Sequence, residues 1–572
     1  MKWILSYLAP LRKRIAVGIS VKTLGTVAEL MIPFLLSHIL ENVIVSGRIS
    51  DILSYGALMA LCALAACLGN IVANRMAART TMIFSRAMRR DLFRKTLDLS
   101  PKSTDAFTIP SLESRITTDT YNVQNFVGMM QRMGIRAPIL FLGGTAITML
   151  MDPKLALVML ATAPLIFLIV YAISRRGVPL YTRVQRSVDG MVRVVREDAQ
   201  GIRVIKALSK VDYENARYDE ANRTLQRNES RAGIIMGSTN PIMTLLMNTG
   251  IVAVIAVSAH FVAKGTSSAT TVIAFMQYFT LVSMAMMSLS RMFVMYTKCA
   301  ASAGRISLVF SEESELTPHE DDGLGDPSLH ISFEDVSFSY LGKRDDLSHI
   351  SFSVKKGETL GIIGATGSGK STLLRLLLRF YDPHSGRVRI GGRDVRSYPA
   401  DELSAKFGVV FQNDFLYADT IAENIRFGRE IGDGALFEAA RIAQAYDFIT
   451  AFPEGFEHAV STGGTNLSGG QRQRLLISRA IAARPEILVL DDSSSALDYK
   501  TDAALRHALA EALPDTTVIT VAQRVSSVKG CDLILVIDEG KIIGSGDHEH
   551  LLATCPEYRE ISDSQMGGAF LD

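Results

Sequence analysis

The sequence predicts a fold in two parts, an α-helical membrane domain of six spans followed by an α/β domain. Three observations predict it. Stretches free of Asp, Glu, Lys and Arg cover 52–74, 137–151, 155–174, 232–263 and 265–290, all in the first part of the chain. After about residue 300 they cease, and strand-like runs alternate with helical ones. One such run, Thr359–Ile363, leads straight into a glycine-rich loop and a leucine-rich helix.

Composition agrees. Of 572 residues, 48% are hydrophobic and the mean hydropathy is +0.21, which excludes disorder as the dominant state. The net charge of +2 gives no bulk-charge basis for nucleic-acid binding. The five cysteines, Cys62, Cys67, Cys299, Cys531 and Cys555, lack zinc-type pairing and do not suggest a disulfide scaffold. Cys62 and Cys67 lie inside an apolar run and read as small buried hydrophobes.

The chain begins without the pattern of a cleaved signal peptide. In 3–14, Trp3, Tyr7 and Leu8 stand beside Arg12, Lys13 and Arg14, as in a helix at a membrane interface. A bilayer crossing needs about 20 mainly apolar residues. By that criterion the spans are 15–42, 52–74, 131–151, 155–175, 237–263 and 267–292. The segments 75–136 and 175–231 carry 11 and 13 Lys/Arg, whereas the opposite loops carry only Arg48, Lys154 and Lys264. The basic segments and both termini are therefore expected on the cytosolic side. Little Pro or Gly interrupts these segments, so they read as helices running well beyond the bilayer.

Ionisable residues at membrane depth face protein or a water-filled cavity. Lys22 and Glu29, seven apart, share one face of the first span. They read either as the wall of a transport cavity or as a structural pairing, with Lys22 reaching toward the cytosol. Arg291, near the inner end of the sixth span, is a further cavity candidate. The methionines Met284, Met286, Met287, Met292 and Met295 read as helix packing or lipid contact, with an adaptable binding surface as the alternative.

Acidic residues with Pro and Gly over 311–328 mark a solvated linker between a membrane domain, 1–310, and an α/β domain, 329–572. Within the second, Gly364, Ala365, Thr366, Gly367, Ser368, Gly369, Lys370, Ser371 and Thr372 contain G-x-x-x-x-G-K-[ST] between strand and helix. Glycines let backbone N–H groups approach phosphate oxygens, and the helix N-terminus adds partial positive charge. Lys370 would reach the β- and γ-phosphates and Ser371 would ligate Mg²⁺. Downstream, the apolar run Ile487–Asp491 delivers Asp491 to the metal, and Asp492 follows where a water-activating base would stand. Alone this run would be a strand ending in a capping Asp; beside the phosphate loop it reads as the metal-binding acid.

Between them lies Leu467, Ser468, Gly469, Gly470, Gln471. With this LSGGQ run beside a phosphate loop, the chain resembles an ATP-binding-cassette (ABC) half-transporter of the exporter type over nearly its whole length. Ser468 and the Gly469 and Gly470 amides open a helix as an anion-binding nest. The resemblance implies that this nest and Gln471 close over ATP held by a partner cassette. It implies that Tyr340 stacks on adenine, and that Gln412 senses Mg²⁺ and the γ-phosphate. It implies that Ser495 to Asp498 cross the dimer interface, and that short coupling helices lie near 110–124 and 209–220.

Two positions depart from the family pattern. Asp492 stands in place of the usual catalytic Glu, and Gln523 in place of the usual switch His. The carboxylate is one methylene shorter, and an amide cannot relay a proton. Loss of general-base function typically costs about 10²–10⁴ in rate. Ser461 to Gly464 also lack the acidic residue usual in such exporters. The pattern resembles the degenerate-site subunit of a heterodimeric, multidrug-like bacterial exporter, with a heterodimer favoured over a homodimer. Its expected setting is the bacterial inner membrane, as a multi-pass protein moving an amphipathic drug, lipid or peptide with ATP and Mg²⁺. The rival readings are an importer of the same fold, for example for a metal chelate, and a nucleotide-gated regulatory or channel subunit. A peptide-processing transporter is disfavoured because no protease-sized domain precedes the first span.

Overall fold

The computed structural model describes residues 2–263, 269–312, 318–319, 323, 325–493 and 495–566. Most of the expected linker, Lys264 and the start of the expected sixth span lie outside the described residues. The chain divides into two units. The first joins Met1–Asp98 to Phe107–Glu312, and the second joins Leu99–Ala106 to Glu313–Asp572.

The first unit is built of long helices. Five helical runs among the described residues are long and apolar enough to cross a membrane: Trp3–Val43, Ile49–Leu97, Ile109–Met151, Val211–Phe261 and Thr270–Ser311. The expected fourth span, 155–175, falls within the helix Pro153–Ala207. Asp152 caps that helix by accepting from the Lys154 and Leu155 amides, and Pro153 at its first position loses no helical bond. At 55 residues it extends about 80 Å, far beyond a hydrocarbon core of about 30 Å. The 49-residue helix Ile49–Leu97 likewise continues past its span.

Small residues and polar clasps hold these helices together. A Cβ added to Gly69 would sit 3.1 Å from Gly25 Cα, so the helices Arg12–His38 and Ile49–Leu97 touch backbone to backbone there. Buried Tyr278 donates to Leu30 O at 2.6 Å. Asp119, almost fully buried, accepts from Ser302 Oγ and Arg305 Nε, both at 2.8 Å. Glu29 is paired with Arg136 through two hydrogen bonds, at 2.6 and 3.2 Å. Lys22 follows the structural-pairing reading. It is buried, and its Nζ donates to Asn70 and Asn74 of the second helix. Cys67 is exposed and Cys62 half-buried, contrary to the expectation of buried packing. An apolar side chain on a membrane helix can face outward without meeting water.

The second unit carries two sheets. Strands β1 (Leu329–Phe338), β2 (Leu347–Lys355), β4 (Ser385–Ile390) and β5 (Arg393–Asp394) form an antiparallel sheet in the order β2-β1-β4-β5. Strands β3 (Thr359–Ile363), β6 (Phe407–Val410), β7 (Ile487–Asp491), β8 (Thr517–Ala522), β9 (Leu533–Asp538) and β10 (Lys541–Gly546) form the second sheet. Its order is β10-β9-β3-β8-β7-β6, parallel except for β10.

Strand β7 organises the core. Ile487 and Val489 pack with Leu373, Leu376 and Leu377 of the helix Lys370–Leu377. Leu488 and Leu490, pointing the other way, pack with Leu475, Ile477 and Ile481 of the helix Gly469–Ile481. All four strand side chains are buried, and burying a Leu or Ile is worth about 1.5–3 kcal/mol. The two helices are therefore held on opposite faces of one sheet, and the register is strongly specified.

Both segments expected to hold coupling helices contain a break between helices. Residues 110–124 hold the end of a short helix, Ile109–Ser114, a π-helical turn, Arg115–Asp119, and the start of the helix Thr120–Met151. The segment grouped with the second unit is Leu99–Ala106, mostly in the helix Pro101–Phe107. At 209–220 there is a tight turn, with Ser209 at φ 52°, joining Pro153–Ala207 to the helix Val211–Gly237.

Candidate functional site

The strand order β3-β8-β7-β6 sets the C-terminal ends of four parallel strands side by side, where open α/β sheets place ligands. The loop 364–369 leaves β3, Gln523 follows β8, Asp491 ends β7 with Asp492 next, and Gln412 lies just past β6. Residues scattered over 160 positions of sequence thus meet at one edge, and the strand pairs Ile363↔Ala522 and Asp491↔Val521 fix their alignment.

The loop is shaped for a ligand that approaches backbone. Gly364, Gly367 and Gly369 have φ of 158°, 85° and 110°. A Cβ on Gly364 would lie 2.1 Å from Ile537 O, so only glycine fits. Ala365 and Thr366 are exposed, while Ser371 and Thr372 are half-buried in the first helical turn. Lys370 is buried, and its Nζ donates to the loop carbonyls of Gly364 and Ala365 at 2.8 and 2.7 Å. Ser368 Oγ is buried without a hydrogen-bond partner. A cradle of left-handed glycines, a lysine folded onto its own loop and an orphaned hydroxyl fit an anionic group such as a phosphate chain.

Electrostatics tie the lysine to the acids. Burial pushes the Lys370 ammonium below its ordinary pKa, with Asp491 and Asp492 opposing the shift. Burial and then neighbouring Asp492 push the Asp491 carboxyl above the usual range, against the pull of Lys370. A buried acid beside a second acid is ready to accept a cation. The donors offered by Ser371, Gln412 and Asp491 are all oxygens, which suits a hard ion such as Mg²⁺. Gln412 is exposed, and its amide makes no hydrogen bond among the described residues.

Asp492 holds φ 50°, and its amide donates to Val521 O at 2.9 Å. With Ser495, Tyr499, Gln523 and Arg524 it lines a cavity of about 490 Å³. Ser495 Oγ donates to Asp492 O at 2.9 Å, and Asp498 caps the helix Tyr499–Ala512 by accepting from Thr501 N.

Tyr340 follows β1. Its ring lies edge-on to Phe338 and Tyr381, with centroids 4.9 and 5.1 Å away. Its hydroxyl accepts from Arg375 Nη1 at 2.9 Å and lies 3.4 Å from Thr372 Oγ1. The aromatic side chain is thereby fixed against the phosphate-loop helix. Sequence reasoning missed three supporting residues here. Arg375 anchors Tyr340, Asp105 accepts from Tyr381 Oη at 3.0 Å, and Gln565 braces the loop of Gln523. Burial and the Asp105 carboxylate push the Tyr381 phenol up to about 12. No local motif marks these residues, because each acts through contacts distant in sequence.

The Ser468 group is the part of the expected site that does not join this edge. Ser468 caps the helix Gly469–Ile481 in a capping box, with its Oγ accepting from Gln471 N and Gln471 Oε1 accepting from Ser468 N. Gly469 is open to solvent, whereas a Cβ on Gly470 would meet Ala496 O at 3.3 Å. This helix lies on the sheet face opposite the phosphate-loop helix.

Comparison with known proteins gives consistent matches. Residues 15–286 match the ABC transporter transmembrane region, and residues 347–495 match the ABC transporter family. An uncharacterised ABC transporter ATP-binding protein of Mycobacterium tuberculosis is 32% identical over 573 residues, covering 98% of this chain and 97% of the relative. The uncharacterised ABC transporter ATP-binding protein YfiB of Bacillus subtilis is 33% identical over 570 residues, covering 99% of each chain. The solved structure of a bacterial Atm1-family ABC exporter with ATP bound superposes with a TM-score of 0.84 at 24% identity. That match covers 97% of this chain and 99% of the other.

Proposed function

The chain belongs to the ABC transporter family, as an exporter-type half-transporter whose cassette couples ATP hydrolysis to transport, and on that premise we propose that it is the slow-site subunit of a heterodimeric exporter. Asp492 and Gln523 lining one cavity carry the slow-site reading, and the need for a partner cassette follows from the two-faced strand β7. This strand holds the phosphate loop and the Ser468 nest on opposite faces, so the nest serves a nucleotide bound elsewhere. A partner cassette supplies that nucleotide, and the partner's own nest closes the site built on Lys370.

In this reading Tyr340 stacks on adenine and the 364–369 amides cradle the phosphates. Lys370 exchanges its two loop carbonyls for phosphate oxygens. Ser371, Gln412 and Asp491 would hold Mg²⁺, which would supply charge neutralisation at the phosphates. Asp492 is the nearest base to the attacking water, and Gln523 donates a hydrogen bond to the γ-phosphate without carrying charge. With the shorter acid and the amide in one site, ATP there is hydrolysed slowly and holds the cassettes together. The competent site, completed by Ser468, Gly469, Gly470 and Gln471 of this chain, turns over. Both termini lie in the cytosol, on the side of the basic helical extensions. The helix Pro101–Phe107 and the turn at Ser209 transmit cassette closure to the membrane helices, which expose a central cavity outward. The two packed states are biased by ATP.

The test is to purify this chain alone and together with a half-transporter encoded by an adjacent gene, and to compare ATPase rates. Slow turnover alone and fast turnover as a pair are expected. Fast turnover by the chain alone overturns the unequal-site reading.

A further inference from the structure

Within the first unit, the described residues line an open cavity of about 570 Å³, a size suited to a small-molecule ligand. Four of its lining residues are cationic: Lys22, Arg132, Arg136 and Arg291. Only Arg136 has a carboxylate partner, Glu29. Lys22 Nζ is held by the neutral amides Asn70 and Asn74, and Arg132 Nε by the carbonyl of Gly128 at 3.1 Å. The Arg291 side chain has no hydrogen bond or ion pair among the described residues. Four cations thus share one neighbouring carboxylate, Glu29, which leaves an excess of three formal positive charges.

These residues stand at the first span, at the start of the third and near the end of the sixth. Uncompensated charge is costly at such depth, and its neutralisation is correspondingly favourable. The rest of the wall is of a different kind. Met129, Met133 and Met295 offer flexible, polarisable apolar surface, which adapts to varied shapes. Asn74 and Asn125 add neutral hydrogen-bonding groups.

We propose that this cavity binds the head of an amphipathic anion, a carboxylate, sulfonate or phosphate joined to an apolar body, and that such anions are the cargo class. Arg132 and Arg291 grip the anionic group with charge-assisted hydrogen bonds, Lys22 adds a fixed charge, and the methionines receive the apolar body. Arg136 is held back from the ligand by Glu29. The inference rests on the export reading above and specifies its substrate. An anionic lipid from the surrounding leaflet carries the same chemistry as a free amphiphile.

The experiment uses the full chain in phosphatidylcholine nanodiscs, with fluorescent dansyl-undecanoate and the matching neutral dansyl-undecanamide as probes. The carboxylate is expected to bind at least about tenfold tighter, the equivalent of one good charged contact. Arg132→Gln with Arg291→Gln should bring the two probes near parity, and Arg291→Lys should retain the preference. Arg291→Gln alone removes no hydrogen bond or ion pair among the described residues, so it carries the test should the double variant fail to fold. Equal binding of both probes by the wild type, or a preference unchanged in the glutamine variants, overturns the proposal. Discs containing phosphatidylglycerol distinguish the sources. Loss of probe binding there identifies the lipid as occupant, and undiminished binding identifies the free amphiphile; both uphold an anion cavity. Binding of a fluorescent ATP analogue in the same discs reports on the transporter reading separately. Nucleotide binding without anion preference removes the cavity assignment alone.

Discussion

Gln565 grips the backbone on both sides of Arg524, and so braces the loop that carries Gln523. Its Nε2 donates to Gln523 O at 2.9 Å, and its Oε1 accepts from Val525 N at 2.8 Å. The helix Pro556–Met566 thus stabilises the loop after β8, and Gln565 itself lines the cavity beside Asp492 and Gln523. Gln565→Leu should destabilise the loop by about 1 kcal/mol per lost hydrogen bond. Hydrogen exchange at the Val525 amide should accelerate accordingly, while the amides of β8 stay protected. An unchanged Val525 rate would refute the brace.

Restoring the usual acid and histidine should raise hydrolysis at this chain's own site. Asp492→Glu with Gln523→His is expected to increase single-site turnover by about 10²-fold, within the range for general-base catalysis. The reading is wrong if turnover measured with the partner's site disabled does not change.

The Gly25–Gly69 crossing leaves no room for a side chain. Gly69→Leu should force the first two helices apart at a cost of about 1–3 kcal/mol, as overpacking typically does. Lower membrane yield and a lower melting temperature in detergent are the expected readouts, with Gly56→Leu, in open surroundings, as the tolerated control.

Acid should weaken the cassette through His330. The ring is buried, with Nδ1 2.7 Å from Thr517 Oγ1 and Nε2 3.7 Å from Glu486. Burial depresses its pKa, opposed by Glu486 and reinforced by Lys356 and Lys406. The folded ring therefore stays neutral where the unfolded chain, with an ordinary pKa of 6.5, takes a proton. Stability from this group is complete above that value, is lost as pH falls through it, and levels off below the depressed folded pKa. Melting curves of wild type and His330→Gln from about pH 7.5 to about pH 5.5, the window of histidine titration, should differ in slope, the wild type being steeper. Parallel slopes would disprove the assignment.

What the sequence made legible was local. The loop 364–372, the Asp491–Asp492 pair and the Ser468 run declare themselves because each motif occupies consecutive positions on one strand, loop or helix end. The helices that run far past their apolar stretches were legible from uninterrupted basic stretches. Lys22 and Glu29 were visible as costly residues, but their partners Asn70, Asn74 and Arg136 were not, since helix neighbours are chosen by tertiary packing. Asp105 and Gln565 escaped notice for the same reason.

The two-sided strand β7 also has a genetic consequence. In the proposed pair, disabling substitutions at Lys370 and Ser468 fall in separate nucleotide pockets although one gene encodes both. A lesion at Lys370 and one in the partner's signature serine strike the same pocket from two genes. Lesions that share a pocket should therefore not add in their effect, whereas Lys370 and Ser468 lesions combined in one chain should disable both pockets.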